Sequence, residues 1–294
     1  MRSYFCFNRI LAGVIALLLM ATIFYACGKT TNDVAPSNSN DNQSLGAAAN
    51  EAVVSGLYND LFTVAMEITT DQGYNETGGR TAAGHTSGSK LGGCYKPEID
   101  DITKDRFPKV VTITFDPGCP DAAGRTRSGV LKLTYSDYLR YPGATVTIEP
   151  VGYTVNGISI TGTKVISNLS TNDVYKYNAR VSGAVLKLDT INILYGSSFT
   201  FTQTEGLNSP KNVYDDVYSV VGSDTVTYNG NIAITTISDS SALIRKLDCP
   251  YIGKGKAVVT LKSVVATVDY GNGACDDSAL VSIGDKVKTV KLPK

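Results

Sequence analysis

The stretch from Cys249 to Ile283 reads CPYIGKGKAVVTLKSVVATVDYGNGACDDSALVSI and combines a cysteine, β-patterned runs, a glycine-rich turn and a second cysteine. The same order occurs between Cys94 and Tyr135, where a strand-like run leads to Asp116-Pro-Gly-Cys119 and then to another run. Alternating apolar and polar residues that are bounded by turn residues indicate β-strands. The sequence therefore predicts one structural unit that is used twice, over residues 94–135 and 249–292.

Further alternating segments fill the chain between these two copies. Asn156-Gly157 and Asn229-Gly230 separate such runs, and this dipeptide suits two-residue type I′ hairpins because both central residues need a positive φ. No long helical pattern interrupts the strands, which excludes the alternation of strands and helices found in parallel sheets. We therefore predict a mainly β domain over residues 94–294, folded as an antiparallel meander or a sandwich-like structure.

Residues 46–93 have a different character. Between Ala47 and Ile68, apolar residues recur at helical spacing with polar residues between them, which predicts one N-terminal amphipathic helix that packs on the β-structure. A helix that lies on a membrane is the alternative, although its polar side lacks the Lys and Arg typical of such helices. Residues 71–93 are rich in Gly, Thr and Ser and are expected to form a long loop.

The first 26 residues begin with Arg2 and Arg9 and continue into an apolar core, which is the architecture of a signal peptide. A small residue stands directly before Cys27, as in a bacterial lipobox. The Cys27 thiol is then expected to carry a diacylglyceryl group with chains such as palmitate. An uncleaved membrane anchor is the alternative, since the apolar stretch approaches spanning length. Residues 27–45 are polar and are predicted to form a flexible tether.

The charge balance limits the partners of the chain. It has 27 basic and 27 acidic residues, and removal of the leader would leave 25 basic against 27 acidic residues. A near-neutral chain without a basic run gives no electrostatic reason to bind nucleic acid. The expected location is the outer membrane, held there by the N-terminal lipid. The periplasmic and cell-surface sides both stay open, and the candidate partners are a glycan or another envelope protein.

Four cysteines remain for the folded domain, namely Cys94, Cys119, Cys249 and Cys275. Four cysteines in an oxidising compartment permit three pairings. The internal repetition selects Cys94 with Cys119 and Cys249 with Cys275. Each bridge would close a loop of about 25 residues and contribute about 3 kcal/mol through loop-closure entropy. A zinc site is the alternative, but the chain lacks the Cys-x-x-Cys spacing that structural zinc sites usually show.

Three motifs in order resemble a family of uncharacterised β-rich lipoproteins of Bacteroidota. They are residues 111–119 followed by 124–131, residues 153–158 followed by 162–165, and residues 268–277 followed by 279–281. The resemblance covers most of the chain after the leader. It implies an envelope location and a β fold, and it carries over no catalytic residue.

Few residues could carry catalysis or bind a metal. His85 is the only histidine, so it cannot supply a site with two histidines, and no Gly-x-Ser-x-Gly elbow accompanies it. We interpret it as an exposed loop residue. Acidic and amide side chains gather around the second turn and near the first strand: Asp269, Asn272, Asp276 and Asp277, and Asp100, Asp101 and Asp105. Such oxygens could bind calcium, whereas their ordinary role in turns explains them without a ligand. No cofactor or metal is predicted.

Two other groups of residues allow a functional interpretation beside a structural one. Arg125 and Arg127 would point to the same side of an extended segment and could grip a carboxylate or sulfate, or else pair with acids of the protein. The 17 tyrosines could form a sugar-binding face, or else pack across strands. The absence of Trp weakens the sugar-binding interpretation.

Three short segments match the O-glycosylation pattern of Bacteroidota, which is Asp, then Ser or Thr, then a small or apolar residue. The candidate acceptors are Thr190, Thr225 and Ser278. Because the pattern is short, chance matches are expected in a Thr-rich chain.

These observations favour a non-enzymatic, lipid-anchored envelope protein with a binding or structural role. A hydrolase acting on glycan is the alternative and would need two carboxylates at catalytic separation in a concave site. A third alternative is an adhesin subunit assembled by strand donation, which would need an unpaired groove in the monomer.

Overall fold

The computed structural model describes residues 39–74, 90–91, 93–100, 106–171, 174–188, 191–209 and 211–292. The predicted leader, Cys27 and the first part of the predicted tether lie outside these residues. Within the described part of the chain, no helix is both long and apolar enough to cross a membrane.

One long helix precedes the strands. In chain order the elements are α1 Ser39–Asp71, β1 Tyr95–Ile99, β2 Lys109–Phe115, β3 Arg127–Tyr135, β4 Thr145–Val155, β5 Ile158–Ser159, β6 Thr163–Asn168, β7 Lys176–Leu188, β8 Ile191–Glu205, β9 Val217–Tyr228, β10 Asn231–Ile237, β11 Leu243–Lys246, β12 Lys254–Leu261, β13 Val264–Asn272, β14 Ser278–Ile283 and β15 Lys286–Lys291. Short 3₁₀ turns occur at Val213–Asp215 and Asp239–Ser241.

The strands form one continuous 15-stranded antiparallel sheet rather than the two facing sheets of a sandwich. Strands that follow one another in the chain are neighbours almost throughout, with β6 between β4 and β7 and β11 between β9 and β12 as the branches. The predicted mainly β fold with an antiparallel meander and one helix is confirmed.

Both predicted hairpin turns are present. Asn156 and Gly157 have φ values of 50° and 79°, and Asn229 and Gly230 have φ values of 47° and 72°. Positive φ at both central residues is what a type I′ turn requires, and Asn and Gly adopt it at the lowest cost. These turns connect β4 to β5 and β9 to β10.

Helix α1 begins earlier than the sequence pattern predicted. It starts at Ser39, so residues 39–45 of the predicted tether are helical. At its other end, Gly73 has a φ of 73°, the Gly73 N–H donates to the Thr70 carbonyl at 3.1 Å, and the Tyr74 N–H donates to the Thr69 carbonyl at 2.8 Å. This pair of bonds is the Schellman motif, which ends helices at a glycine.

The predicted packing of the helix on the β-structure is confirmed. No α1 residue between positions 44 and 71 is exposed, and the partly buried residues form one stripe, at positions 46, 49, 50, 53, 56, 59, 63 and 70. The helix packs against β9, β10, β12, β13 and β14. The Phe62 ring stacks on Phe201 of β8 with a centroid distance of 4.0 Å, and the Tyr58 ring stacks on Tyr195 of the same strand at 4.5 Å. A helix that carries apolar residues all round is typically buried. The sheet therefore wraps around α1, which lies at the centre of the hydrophobic core.

Polar residues of α1 are accommodated by partners on the surrounding structure. The Thr69 hydroxyl contacts the Tyr135 hydroxyl at 3.0 Å, and the Tyr95 hydroxyl donates to Asp71 at 2.6 Å. Burying a polar group without a hydrogen bond costs roughly 2–7 kcal/mol, depending on the reference state. These bonds therefore help to fix the position of the helix along its axis within the sheet.

Candidate functional site

The two disulfides have the predicted pairing. Cys94 is bonded to Cys119 and Cys249 to Cys275, with Cα–Cα distances of 5.6 Å and 5.8 Å. Each bridge closes one hairpin at its open end. Cys94 precedes β1 and Cys119 follows β2, while Cys249 precedes β12 and Cys275 follows β13. The repeated units of the sequence are thus two disulfide-closed hairpins near opposite ends of the strand order.

The other predicted sites are not brought together. Cys27, His85 and Thr190 lie outside the described residues. Thr225 is exposed on β9, and Ser278 is partly buried at the start of β14, where its hydroxyl donates to Asp276 at 2.6 Å. The structure therefore describes two of the three candidate O-glycosylation acceptors, on different strands.

The acidic residues around the second turn have ordinary turn and surface partners. Asp269 pairs with Lys256 at 2.9 Å, and Asp277 pairs with Lys291 at 2.6 Å. The pKa of Asp269 lies below its ordinary value because Lys256 hydrogen-bonds to the carboxylate. Among the described residues no group of three or more His, Cys, Asp or Glu side chains could hold a metal ion. These contacts agree with the turn interpretation of the acids.

The tyrosines chiefly form the core. Tyr135, Tyr153, Tyr177 and Tyr218 are fully buried, and the last two make edge contacts with Phe62 of α1. Tyr141 is an exception, since its side chain is exposed. The packing interpretation holds for these buried rings, which cannot serve as a sugar-binding face.

A cleft of about 260 Å³ lies beside α1, where segments next to the two disulfides meet. One wall contains Lys90, which precedes Cys94 in the chain, and residues 121–123, which follow Cys119. The opposite wall is formed by residues 247–250, which include Cys249. The Lys90 ammonium donates to the Asp248 carbonyl at 2.7 Å, and the Ala122 N–H donates to the Lys90 carbonyl at 2.8 Å. The two walls are therefore tied together through Lys90.

A buried ion-pair network lies at the cleft. Arg127 grips Asp60 of α1 with two bonds, Nη1 to Oδ2 at 2.6 Å and Nη2 to Oδ1 at 3.1 Å. Arg125 bonds to the same carboxylate at 2.5 Å and to Asp121 at 2.9 Å, and Arg127 also reaches Asp121 at 3.1 Å. The Arg127 guanidinium further donates to the Tyr153 hydroxyl at 2.6 Å. The predicted pairing of both arginines with acids of the protein is confirmed.

This network keeps Asp60 ionised. Burial alone would raise the pKa of Asp60, but the charges of Arg125 and Arg127 outweigh it and hold that pKa well below its ordinary value. Conversely, burial opposes the charge of Arg127, and the Asp60 carboxylate raises the Arg127 pKa above its ordinary value. A carboxylate held in this way accepts hydrogen bonds but cannot act as a proton donor near neutral pH.

Arg245 on β11 also lines the cleft, and its guanidinium is incompletely paired. The side chain is 3% exposed, donates from Nη2 to the Thr63 hydroxyl at 2.9 Å, and has an Nε without a hydrogen-bond partner. Burial lowers the pKa of Arg245 to about 10, so the group is still charged at neutral pH. Nearby Lys164 donates to the Tyr58 carbonyl at 2.7 Å, and burial, reinforced by the Arg245 charge, lowers its pKa to about 7.

A second group of acids lies inside the domain. Glu51 of α1 and Asp224 of β9 are 1% and 2% exposed. Burial raises the pKa of both carboxyls, the neighbouring Asp224 raises that of Glu51 further, and the pKa of Asp224 reaches about 6. Neither residue lines the 260 Å³ cleft. Two adjacent carboxyls in such surroundings are expected to share one proton.

The sequence interpretation found part of this site. The alternation of Arg125 and Arg127 predicted that they share a side, whereas nothing near Arg245 in the sequence distinguishes it from a surface arginine.

Searches of protein-family models, curated proteins and solved structures found no match to the chain. The chemical interpretation of the cleft therefore rests on its own geometry.

Proposed function

We propose that this chain is a lipid-anchored outer-membrane protein of the bacterial envelope, and that its β domain binds a ligand in the cleft beside α1. The observation that carries the binding role is the construction of the cleft. Its two walls flank different disulfides, are joined through Lys90, and adjoin a charge network that is fixed before any ligand arrives. Preorganised walls reduce the entropy that is lost on binding.

The same geometry argues against the alternative of a glycan hydrolase. Such an enzyme needs a protonated acid and a second carboxylate that face the substrate. Of the four acids that line the cleft, Asp60 and Asp121 are paired with Arg125 and Arg127, Glu67 accepts a hydrogen bond from the Leu91 N–H, and Asp248 is exposed. Glu51 and Asp224, whose pKa values are raised, do not line the cleft. A binding role therefore suits the cleft better than acid–base catalysis.

The adhesin alternative is less well supported at the sheet edge that β15 forms. This strand carries Lys286, Lys288 and Lys291. Lysines on an edge strand discourage the addition of a further strand. Ligand binding in the cleft is thus favoured over assembly by strand donation.

Lipid attachment is tested by metabolic labelling with a palmitate analogue. The unmodified protein is expected to take up label and to fractionate with the outer membrane, and Cys27→Ala is expected to lose both properties. Cys6→Ala is the matched control and should keep them, because Cys6 belongs to the predicted leader. Label that persists in Cys27→Ala would contradict the anchor. Protease treatment of intact cells would then show on which side of the membrane the domain lies.

The binding role is tested by obstructing the cleft. Ala123 lines it, so Ala123→Trp should abolish binding to a glycan array, while Ala274→Trp, an exposed position away from the cleft, should not. Equal binding by both variants would place the ligand elsewhere. The proposed binding role would be refuted if the unmodified protein bound no glycan on the array and formed no crosslink to an envelope protein.

A further inference from the structure

We infer that Arg245 is an anion receptor, and that the ligand of the cleft is an acidic molecule of about monosaccharide size that presents a carboxylate or sulfate group to this guanidinium. This inference rests on the proposed binding function of the same cleft. It adds the chemical class of the ligand and the residue that recognises its charge.

The first support is the incomplete pairing of Arg245. A guanidinium has five N–H groups, and among the described residues Arg245 uses one of them, in the bond from Nη2 to Thr63. It forms no ion pair with any described carboxylate, unlike Arg125 and Arg127. Leaving a charge buried without a direct partner is costly, so a group that supplies the missing partner should bind favourably.

The second support is the distribution of the ion pairs. Three guanidiniums, those of Arg125, Arg127 and Arg245, line the cleft together with three buried carboxylates. Asp60 and Asp121 pair with Arg125 and Arg127, and Glu67 accepts a hydrogen bond from the Leu91 N–H, so Arg245 is left without an ion pair among the described residues. Asp60 accepts three hydrogen bonds from Arg125 and Arg127, and its charge favours the charged form of Arg245 without an ion pair between the two groups. An anion that enters beside Arg245 would supply the ion pair that this guanidinium lacks.

The acids and cations around the cleft set the limits of this attraction. Burial and the charge of Arg125 lower the pKa of Arg245, and the charges of Asp60 and then of Asp248, which is exposed at the wall, favour its charged form without an ion pair. Glu67 accepts a hydrogen bond from the Leu91 N–H at 3.0 Å, and Lys90 is bonded to the Asp248 carbonyl. Because the Asp248 carboxylate lies at the open side, it should compete weakly with an incoming anion.

The size of the cleft selects the ligand. Pockets for drug-sized molecules span about 300–1,000 Å³, and this cleft, at about 260 Å³, is smaller than that range. It therefore suits one sugar-sized unit. The planar fork of arginine matches the oxygens of a carboxylate or sulfate in a two-bond arrangement. An acidic sugar combines this size with this charge.

The test is titration calorimetry of the folded, disulfide-bonded protein with glucuronate, glucose 6-sulfate, glucose and inorganic sulfate. Glucuronate or glucose 6-sulfate should bind, glucose should bind at least tenfold more weakly, and inorganic sulfate should compete with the acidic sugar. Arg245→Met should lose at least tenfold in affinity, whereas Arg180→Met, an exposed arginine on β7, should bind as the unmodified protein does. Asp248→Asn should bind at least as tightly as the unmodified protein.

The outcomes separate this inference from the proposed function. Equal affinity of Arg245→Met and the unmodified protein would overturn the role of Arg245. Binding of glucose as tightly as glucuronate would overturn the acidic ligand while leaving a binding cleft in place. Failure of all four probes to bind would overturn the inference, and the glycan array with Ala123→Trp would then decide the proposed function separately. Circular dichroism confirms that each variant is folded. Arg245→Lys is a second variant, which keeps the positive charge but lacks the planar pair of N–H donors of arginine.

Discussion

Replacing Glu51 with Gln is expected to stabilise the folded protein at alkaline pH and to change little at acid pH. Glu51 and Asp224 are buried together between α1 and β9, where burial and mutual repulsion raise the pKa of Glu51 above its ordinary value of 4.5. Glutamine has nearly the same shape and donates a hydrogen bond without having to bind a proton. The substitution therefore removes the ionisation and keeps the packing.

The size of the effect follows from linkage between protonation and folding. A carboxyl whose pKa is higher in the folded state stabilises the fold fully below its unfolded pKa and loses that contribution as the pH rises through its folded pKa. For Asp224 the two values are 3.8 and about 6, an interval worth about 3 kcal/mol. Burial causes the raised pKa of Asp224, so Glu51→Gln leaves that contribution in place and removes only the ionisation of Glu51 itself. Because a buried polar group without compensation costs about 1–3 kcal/mol in proteins, we expect a gain of about 1–3 kcal/mol at pH 8 and less than about 0.5 kcal/mol at pH 4.

The measurement is urea unfolding at pH 4, 6 and 8 with the disulfides intact, followed by far-ultraviolet circular dichroism because the chain has no Trp. Glu98→Gln is the control, since Glu98 is exposed on β1 and surface changes usually alter stability by less than about 0.5 kcal/mol. A destabilised Glu51→Gln at pH 8, or the same change at all three pH values, would refute the shared-proton interpretation.

Two further predictions concern the core and the bridges. Asp60→Asn leaves Arg125 and Arg127 buried without their shared carboxylate and should lower the free energy of unfolding in urea by about 3–5 kcal/mol. Asp285→Asn is the control at an exposed position and should cost little. A loss below about 1 kcal/mol in Asp60→Asn would contradict the stability that we assign to the network. Removing either disulfide as a Cys→Ser pair, Cys94 with Cys119 or Cys249 with Cys275, should lower stability by about 3 kcal/mol each. Unchanged melting under reducing conditions would count against that contribution.

Features written in short stretches of sequence were predictable. The Asn-Gly hairpins, the repeated cysteine units and the disulfide pairing each depend on a few neighbouring residues, and the structure confirms them. Helix α1 was predicted as well, but not its surroundings. Apolar residues at helical spacing gave one packing side, while Ala48, Ala52 and Met66 on its other sides are equally buried. These sides are covered because the sheet, which is assembled from distant strands, curves around the helix.

In the candidate site, too, local features were predictable from the sequence and long-range contacts were not. Arg125 and Arg127 could be placed on one side from their alternation, yet their partner Asp60 lies 65 and 67 positions earlier in the chain. Thr63, the one hydrogen-bond partner of Arg245 among the described residues, is 182 positions away. No local pattern encodes such contacts, because they arise only when the sheet has wrapped around α1.

The placement of the charge network explains how one cleft can be both rigid and selective. Its carboxylate Asp60 comes from the central helix, and Arg125 and Arg127 follow the first disulfide-closed hairpin. Arg245 stands just before the second disulfide-closed hairpin and lines the space that remains. Paired charges at this position can specify how the helix and the sheet fit together. Arg245 has only its hydrogen bond to Thr63 and no ion pair among the described residues, so its burial is less completely compensated in the free protein. A residue that is buried at a cost to the empty domain gains its advantage when an anion occupies the cleft, which is why Arg245, rather than the two paired arginines, is the residue expected to set affinity.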